Sequence, residues 1–420
     1  MLRTCLSKTF SIFNVLTKPM STFVRPTTNL DNPNSNEHYI ALEYDHGCHN
    51  PLPIPVVLKE GKGPYVWDVT GKQYLDFMCS YGALNHGHCH PKILEAMVEQ
   101  AKKLTLTSSV THHDQLGKTY QYMSKTFGFD KAIMMNGGVE GSETAVLIAR
   151  RWAYAVKGVP ENQAKMVFPI GNYWGKSIAA RAGSEDTSRR KQFGPFGGLN
   201  FELIPYDDVN AIESLFKQDP YIAAFLLEPI QGQGGVVHPK EGYLKKVREL
   251  CTKYNVLMVV DEIQTGLGRT GKLVACDWEE VKPDLLVLGK SLSGGYYATS
   301  AVLGKKEVMD VIKPGEHETT YGGNPIAAAV SKRAVELLFE EKLIENSEKL
   351  GNVFAKEFPS LAKTFSINYD FTITAIAAPT SIPQALPRFA IVSTKVTFTA
   401  CWLHKATILD VRRGSAFSAT

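Results

Sequence analysis

The chain has 420 residues, of which 44% are hydrophobic and 21% are charged, a composition ordinary for a soluble globular protein with a large core. Its formal net charge is +4, yet four basic residues precede the first acidic one, and the remaining 42 basic and 42 acidic residues balance. This balance argues against nucleic acid as a partner, and no apolar run is long enough to span a membrane. The seven cysteines form no CxxC pair or metal-ligand spacing, which favours reduced thiols in a reducing compartment.

Residues 1–35 are expected to be a targeting segment and a linker. Basic, Ser and Thr residues alternate there with apolar ones, and no acidic residue occurs before Asp31. This composition is typical of a mitochondrial transit peptide, whereas a disordered tail without targeting function is the alternative. We therefore expect the mitochondrial matrix as the location, with the cytoplasm as the second choice.

The next elements are predicted by apolar periodicity and turn residues. We expect a helical start at His38–Asp45, a hairpin of Tyr65–Asp68 and Tyr74–Phe77, and helices at Pro91–Lys103 and Asp114–Thr126. The loop Ser80–His90 contains three histidines, but no carboxylate or cysteine pattern supports a metal site, and none is predicted.

A glycine turn then joins a predicted strand to a predicted helix. The strand is Ala132–Met135, the turn is Asn136-Gly137-Gly138, and the helix is Val139–Lys157. Small residues at a helix N-terminus let the backbone N–H groups approach an anion, and the helix dipole favours negative charge there. A further strand is predicted at Met166–Phe168, and the polar, basic segment Ser184–Gly198 is predicted to be a surface loop.

Three short apolar runs form the centre of the sequence. Ala223–Leu227, Val256–Val260 and Leu285–Leu288 are too short for typical helices, and their composition suits strands buried on both faces of a parallel sheet. A helix is predicted at Gly242–Tyr254, between the first two runs. This β–α–β order predicts parallel strands.

An ionisable residue follows each of these runs: Glu228, Asp261 and Lys290. Ligands of open α/β sheets bind at the carboxyl ends of the strands, and charged side chains are almost never fully buried unpaired. A lysine there can be an ion-pair partner or an amine that forms a Schiff base, for which pyridoxal phosphate is the best-known carbonyl partner. That cofactor also needs an acid at its pyridine nitrogen, which Asp261 can supply, and an anion site, which the glycine turn can supply.

Two sequence blocks carry a family resemblance. DEIQTGLGRTG at 261–271, followed by PDLLVLGKSLSGG at 283–295, resembles the signature of the class III, pyridoxal-phosphate-dependent aminotransferases, and the similarity extends over roughly residues 38 to 350. The resemblance implies an α/β enzyme of fold type I, with a mostly parallel sheet flanked by helices and a smaller α+β lobe built from the two chain ends. It further implies a homodimer, or a higher oligomer, that shares its active sites between subunits.

The resemblance assigns roles to individual residues. Lys290, Asp261 and Glu228 are the expected catalytic residues, and Lys290 and Asp261 are also expected to bind the cofactor, Asp261 at the ring nitrogen. Five further cofactor contacts are expected: Gly138, Val139 and Thr320 at the phosphate, the last from the neighbouring subunit, and Tyr173 and Gln264 at the ring. Tyr81, Lys176 and Gln233 are expected to lie at the substrate.

Within the family the members that act on ornithine are the most similar. The expected reaction moves the δ-amino group of ornithine to 2-oxoglutarate, giving glutamate-5-semialdehyde and glutamate. Those members have Tyr, Arg and Glu where this chain has Pro51, Lys176 and Gln233. The alternatives are another ω-aminotransferase, of the acetylornithine or 4-aminobutyrate type, and a catalytically silent cofactor-binding subunit.

The end of the chain departs from the family. After about residue 358 the sequence is rich in Thr, Ala and Ser, has no clear period, and lacks the family's C-terminal arginine motif. Helices are predicted before it, at Pro325–Glu340 and Leu343–Phe358, after a predicted strand at Ser300–Leu303. The expected divisions are residues 36–80 and 326–420 for the small lobe, the latter divergent or truncated, and residues 81–325 for the large cofactor-binding domain.

Overall fold

A computed structural model describes residues 24–49 and 53–364, together with four short strands in the remaining C-terminal segment. The predicted targeting segment up to residue 23 lies outside these described residues, as does Pro51. No helix among the described residues has both the length and the apolar character needed to cross a membrane.

A seven-stranded sheet forms the centre of the fold. Its strands follow in the order β4-β10-β9-β8-β7-β5-β6. Their bounds are β4 Lys131–Met135, β5 Lys165–Pro169, β6 Phe201–Ile204, β7 Ile222–Leu227, β8 Leu257–Asp261, β9 Leu285–Leu288 and β10 Ser300–Gly304. The pairs β5–β6, β5–β7, β7–β8 and β8–β9 are parallel, whereas β10 runs antiparallel to both of its neighbours. The predicted, mostly parallel α/β sheet is therefore confirmed.

The three central strands are buried along their whole length. Every residue of β7, β8 and β9 is buried, as expected for parallel strands covered by helices on both faces. All three runs predicted from the sequence are confirmed, with boundaries shifted by at most one residue. The side chains of the two faces fill separate cores, one around Phe225, Met258 and Leu286 and the other around Leu226 and Val259.

Besides a short turn with left-handed backbone at Cys79–Gly82, eleven α-helical segments surround the sheets within the described residues. They are α1 Asn36–His46, α2 Pro91–Ala101, α3 Leu116–Phe127, α4 Gly138–Trp152, α5 Ile178–Ala182, α6 Thr187–Arg190, α7 Val209–Gln218, α8 Tyr243–Lys253, α9 Lys306–Met309, α10 Pro325–Glu340 and α11 Leu343–Thr364. Short 3₁₀ segments occur at Ala275–Glu279 and Lys290–Ser293, and a π-helical turn at Ala153–Lys157 continues α4.

The differences from the predicted elements have local causes. The segment predicted as a surface loop contains α6, whose N-terminus is capped by the carboxylate of Asp186, which accepts a hydrogen bond from the N–H of Ser188 at 2.9 Å. Neither β6 nor α7 was predicted. The side chain of Asp208 caps α7 in the same way, by accepting from the N–H of Ala211, a signal that a capping search would have found.

A second sheet is antiparallel and shares no strand with the central sheet. It has the order β1-β2-β3-β13-β14, with β1 Leu58–Lys62, β2 Tyr65–Asp68, β3 Gln73–Asp76, β13 Thr407–Asp410 and β14 Ser415–Ser418. The predicted hairpin is confirmed as the pair β2–β3, and the C-terminal strand β13 pairs with β3. The strands β11 Asp370–Ile373 and β12 Val392–Lys395 form a separate two-stranded sheet. Both chain ends therefore contribute to small antiparallel sheets.

The buried centre of the main sheet should dominate stability. Leu226 in β7 is 1% exposed, whereas Leu147 in α4 is 45% exposed. We expect Leu226→Ala to lower the free energy of unfolding by about 2–5 kcal/mol, because it removes packed atoms and leaves a cavity, and Leu147→Ala by less than about 0.5 kcal/mol. Urea unfolding followed by far-UV circular dichroism measures both. Equal losses for the two variants would contradict the assigned burial.

Candidate active site

Three adjacent parallel strands bring three ionisable side chains to one edge of the sheet. Glu228 directly follows β7, Asp261 is the last residue of β8, and Lys290 follows β9 after Gly289. Because the strand order is β9-β8-β7, these groups are neighbours in space although they span 63 positions of the sequence. Burial lowers the pKa of the Lys290 amine, and electrostatic attraction to Asp261 and Glu228 partly opposes this shift, which shows that the three groups act on one another. The predicted cluster is therefore present.

Asp261 is a buried carboxylate held by two neutral donors. The hydroxyl of Ser142 donates to Oδ2 at 3.0 Å, and the N–H of Ile263 donates to Oδ1 at 3.0 Å. Burial raises the pKa of Asp261, while these hydrogen bonds oppose that shift. No cationic side chain of the described residues forms an ion pair with it within 4.0 Å. A cationic N–H group of a ligand would therefore complete the surroundings of this carboxylate.

Glu228 fixes the backbone on both sides of the site. Its Oε1 accepts from the N–H of Tyr173 at 2.9 Å, and its Oε2 accepts from the N–H of Gly232 at 3.2 Å. Burial, followed by the nearby charge of Asp261, raises the pKa of Glu228 to about 8. The side chain thus joins the end of β7 to the turn that carries Tyr173.

Lys290 is a half-buried amine in a strained backbone position. It begins the 3₁₀ segment Lys290–Ser293 with a φ of 45°, which is in the left-handed region. Residues other than glycine adopt this region at an energetic cost, and such positions cluster at functional sites. Burial lowers the pKa of Lys290 to about 8, and no hydrogen bond to its Nζ forms within the part of the chain that the structure describes. The amine therefore loses its proton more readily than that of an ordinary lysine, which favours its use as a nucleophile.

The glycine turn leaves donors free at the start of α4. The N–H of Asn136 donates to Oε2 of Glu140 at 2.8 Å, but the N–H groups of Gly138 and Val139 have no acceptor among the described residues. A Cβ placed on Gly137 would meet no atom within 4 Å, so there is open space in front of the turn. Two free N–H groups at the N-terminus of a 15-residue helix suit a phosphate.

Tyr81, Gln264 and Tyr173 line the same region. Nε2 of Gln264 donates to the backbone oxygen of Tyr81 at 3.0 Å, and a Cβ on Gly232 would overlap Oε1 of Gln264. The ring of Tyr173 is covered by the guanidinium of Arg189 at 4.8 Å from the ring centroid. The side chain of Tyr81 is 62% exposed, as a residue at an entrance would be.

Other predicted residues are less closely tied to this cluster. Lys176 and Thr320 are exposed and Gln233 is half-buried, and none of the three hydrogen-bonds the side chains of Glu228, Asp261 or Lys290 within the described segments. The histidines of the Tyr81 loop have separate partners, since His86 contacts the backbone oxygen of Ala334 and His88 contacts Asp76.

The sequence prediction missed Ser142, which donates to Asp261. The signal was present, because Ser142 lies four residues after Gly138 and therefore on the same face of the predicted helix. Arg269 was also missed. It is buried, and it donates to the backbone oxygen of Gly82 and to Oδ1 of Asn85. Only the structure reveals this contact, because it joins segments far apart in the sequence.

Comparisons with known proteins agree with the aminotransferase resemblance of the sequence. The family model of aminotransferase class III matches residues 47–368. The mitochondrial ornithine aminotransferase of Drosophila melanogaster is 54% identical over 78% of this chain and 76% of its own length. A crystal structure of ornithine aminotransferase from Toxoplasma gondii is 44% identical, covers 84% of both chains and has a TM-score of 0.79. A crystal structure of acetylornithine aminotransferase from Elizabethkingia anophelis is 47% identical over 81% of this chain and 82% of that one, with a TM-score of 0.72.

The amine of Lys290 should titrate far below an ordinary lysine. With a pKa of about 8, its labelling by a small amine-reactive reagent should rise with pH around that value, whereas an unperturbed lysine titrates near about 10.4. Asp261→Asn removes an attractive charge that favours the ammonium form, so the midpoint should move to lower pH. Peptide mass spectrometry measures labelling at Lys290.

The exposed residue Glu241 provides the control, since Glu241→Gln removes a carboxylate outside this cluster and should leave the labelling midpoint unchanged. An unshifted midpoint in Asp261→Asn, or an equal shift in both variants, would show that Asp261 does not act on Lys290.

Proposed function

Because the chain belongs to the class III aminotransferases, we propose that its described site transfers the δ-amino group of ornithine to 2-oxoglutarate. The protein is a pyridoxal-phosphate-dependent aminotransferase, and its substrates are an amino acid and a 2-oxo acid. Ornithine as the donor is supported by relatives of that name at about 50% identity over most of the chain. The products would be glutamate-5-semialdehyde and glutamate. The observation that carries the proposal is the joining of Lys290, Asp261 and the free N–H groups of α4 at one edge of the sheet.

The residues present fit pyridoxal phosphate. The two free N–H groups at Gly138 and Val139, with open space before Gly137, match a phosphate. The buried carboxylate of Asp261 forms no ion pair within 4.0 Å among the described residues, which matches a site for a protonated pyridine nitrogen. The half-buried amine of Lys290, with its lowered pKa, matches a lysine that bonds the cofactor's carbonyl carbon.

Each residue then has a defined task in the proposed reaction. When bound, pyridoxal phosphate supplies a carbonyl carbon for amines and a ring that accepts an electron pair. Lys290 would hold this carbon, and its amine, once free, would accept and donate a proton at the substrate carbon as base and acid. Asp261 would hold a proton at the ring nitrogen. Glu228 holds the backbone of Tyr173, whose ring would stack on the pyridine.

The remaining predicted residues would complete the cofactor and substrate contacts. Gln264 would reach the ring hydroxyl, and Thr320 would contact the phosphate from the second copy of a homodimer. Tyr81, Lys176 and Gln233 would lie at the substrate. Lys176 offers a point charge where the ornithine-acting relatives have the bidentate fork of an arginine.

The proposed oligomeric state and cellular location of the protein rest on the exposure of Thr320, on the composition of the N-terminal segment and on the names of relatives. The exposed position of Thr320 suits a contact with a second subunit, and a homodimer with shared sites would be the smallest active form. The composition of the first 35 residues and the mitochondrial names of several relatives support targeting to the mitochondrial matrix.

A second candidate donor is acetylornithine. The solved acetylornithine aminotransferase from Elizabethkingia anophelis is as similar in sequence as the ornithine enzymes of known structure, and Gln233 removes a charge from the expected substrate region. Acylation of the α-amino group changes the charge of the donor and leaves its reacting δ-amine intact. A comparison of donors therefore separates the two functions.

Absorbance spectroscopy tests the donor directly. The purified protein with pyridoxal phosphate should show the visible band of a lysine-bound cofactor, and ornithine should bleach it, since the amino group is retained on the cofactor. Lys290→Ala should lack the band and the turnover. Acetylornithine and 4-aminobutyrate serve as comparison donors under the same conditions. A band that acetylornithine bleaches faster than ornithine would reassign the donor, and a band that no amine bleaches would indicate a silent subunit.

The carboxylate of Asp261 should be needed for chemistry more than for folding. Asp261→Asn keeps the shape of the side chain but removes the charge that holds the ring nitrogen protonated. We expect kcat to fall by more than about a hundredfold, the scale seen when one preorganised electrostatic contact is removed. Steady-state kinetics with ornithine and 2-oxoglutarate measure the loss, with thermal unfolding as the check on folding. A kcat within about threefold of the starting protein would contradict the assigned role.

A further inference from the structure

We propose that residues 173–193 form a cationic rim that selects a dicarboxylic 2-oxo acid as the amino-group acceptor. The proposal rests on the proposed function and adds the residues that would choose between acceptors. Apart from Tyr173 and Lys176, the proposed catalytic cycle gives no task to this segment, which comprises the short helices α5 and α6 and the turns around them.

The rim carries an unusual share of the positive charge. It contains five basic residues, Lys176, Arg181, Arg189, Arg190 and Lys191, against the two acidic residues Glu185 and Asp186. Its net charge of +3 compares with +4 for the whole chain, of which four basic residues lie before residue 26. Beyond residue 25 the 42 basic and 42 acidic residues balance, so the rim is positive while the remaining residues there carry a net charge of −3.

Contacts place this charge at the site. The guanidinium of Arg189 lies 4.8 Å from the ring centroid of Tyr173, and the N–H of Tyr173 is bound by Glu228. Nε of Arg181 donates to the backbone oxygen of Lys176 at 3.0 Å, and Nη1 of Arg181 donates to the backbone oxygen of Arg189. Arg181 thus joins the turn that carries Tyr173 to the α6 region.

Aromatic rings hold two of the guanidinium groups in place. Arg181 lies 3.9 Å from the ring centroid of Phe193, and Arg190 lies 5.3 Å from that of Phe196. Stacked guanidinium groups keep their full charge and lose less conformational entropy when they meet an anion. The rim is therefore a preordered set of charges.

The acidic residues neutralise only part of this charge. Asp186 pairs with Arg189 at 3.0 Å, and Glu185 accepts from the backbone N–H of Gly171. Neither Arg181 nor Arg190 has an ion-pair partner among the residues that the structure describes. The positive charges of Arg181 and Arg190 therefore remain to attract an approaching anionic substrate.

The two substrates differ in how they respond to such a field. A dicarboxylic 2-oxo acid carries two negative charges, a monocarboxylic one carries one, and ornithine has a net charge of about +1 near neutral pH. Clefts lined by one sign of charge concentrate ligands of the opposite sign, and salt screens the effect. The rim would therefore favour 2-oxoglutarate over pyruvate, and would partly replace the carboxylate-binding fork that Lys176 does not provide.

Charge reversal at Lys191 tests the rim. Lys191 is exposed and directly follows α6, so Lys191→Glu alters the field without removing a packed side chain. In the enzyme loaded with pyridoxal phosphate, we expect kcat/KM for 2-oxoglutarate to fall about three- to tenfold at low salt. The fall for pyruvate should be smaller, and kcat/KM for ornithine should stay unchanged or rise. The 2-oxoglutarate effect should shrink as sodium chloride is added.

Variants at two further positions show whether the effect comes from the charge of the rim, from the shape of its side chains or from the net charge of the whole protein. Arg190→Gln should reproduce the acceptor effect, and Arg190→Lys should restore most of it, because the charge is retained. Lys217→Glu is the control, since Lys217 lies near the C-terminus of α7, at the opposite end of β7 from Glu228, and it should leave both acceptors unaffected.

The possible results are distinct. Equal losses for ornithine and 2-oxoglutarate in Lys191→Glu, or an effect that salt does not change, would overturn the rim while leaving the proposed function intact. A starting protein that does not transaminate ornithine would instead refute the proposed function. In that case the same acceptor comparison, run with whichever amine bleaches the visible band, tests the rim independently of the donor.

Discussion

The removal of three charged groups from water is the constraint on which the site depends. Glu228, Asp261 and Lys290 lie at the ends of strands whose residues are all buried, so each group pays for lost hydration. Burial raises the pKa of both carboxyl groups and lowers the pKa of the amine. The two carboxyl groups repel each other, but the attraction of each to Lys290 offsets part of the cost. The donors from Tyr173, Gly232, Ser142 and Ile263 offset a further part.

The same edge of the sheet also contains strained backbone. Cys79, Ser80 and Tyr81 have φ values of 47°, 49° and 56°, in the left-handed region that glycine prefers. The next residue, Gly82, is held through its backbone oxygen by Arg269 and by the hydroxyl of Ser291, which directly follows Lys290. A Cβ at Gly82 would approach the guanidinium carbon to 2.8 Å, so only glycine allows this contact. The turn that carries Tyr81 is thereby fastened to the segment that carries Lys290.

Local patterns predicted the sheet and the grouping of three ionisable residues at its edge. Short apolar runs ending at Glu228, Asp261 and Lys290 were enough, because strand direction alone brings the carboxyl ends of parallel neighbours together. What the sequence did not reveal depends on contacts between distant segments. Three features depend on which distant segments meet in the folded chain. They are the antiparallel direction of β10, the pairing of β13 with β3 and the burial of Arg269 against Gly82. The helix α7 is different, because its Asp208 cap was readable in the sequence.

Two kinds of interaction with different ranges meet at this site, and they tolerate sequence change differently. Bidentate hydrogen bonding needs a planar fork at one place, so a lysine at position 176 cannot reproduce an arginine there. Electrostatic attraction falls off over several ångströms, and its sources can be spread over Arg181, Arg189 and Arg190 without a fixed geometry. The proposed cofactor contacts are of the first kind, since the Gly138 and Val139 N–H groups and the Asp261 carboxylate would each act at one atom. The proposed substrate attraction is of the second kind, so it would tolerate substitutions around the entrance better than the cofactor contacts would tolerate substitutions at the sheet edge.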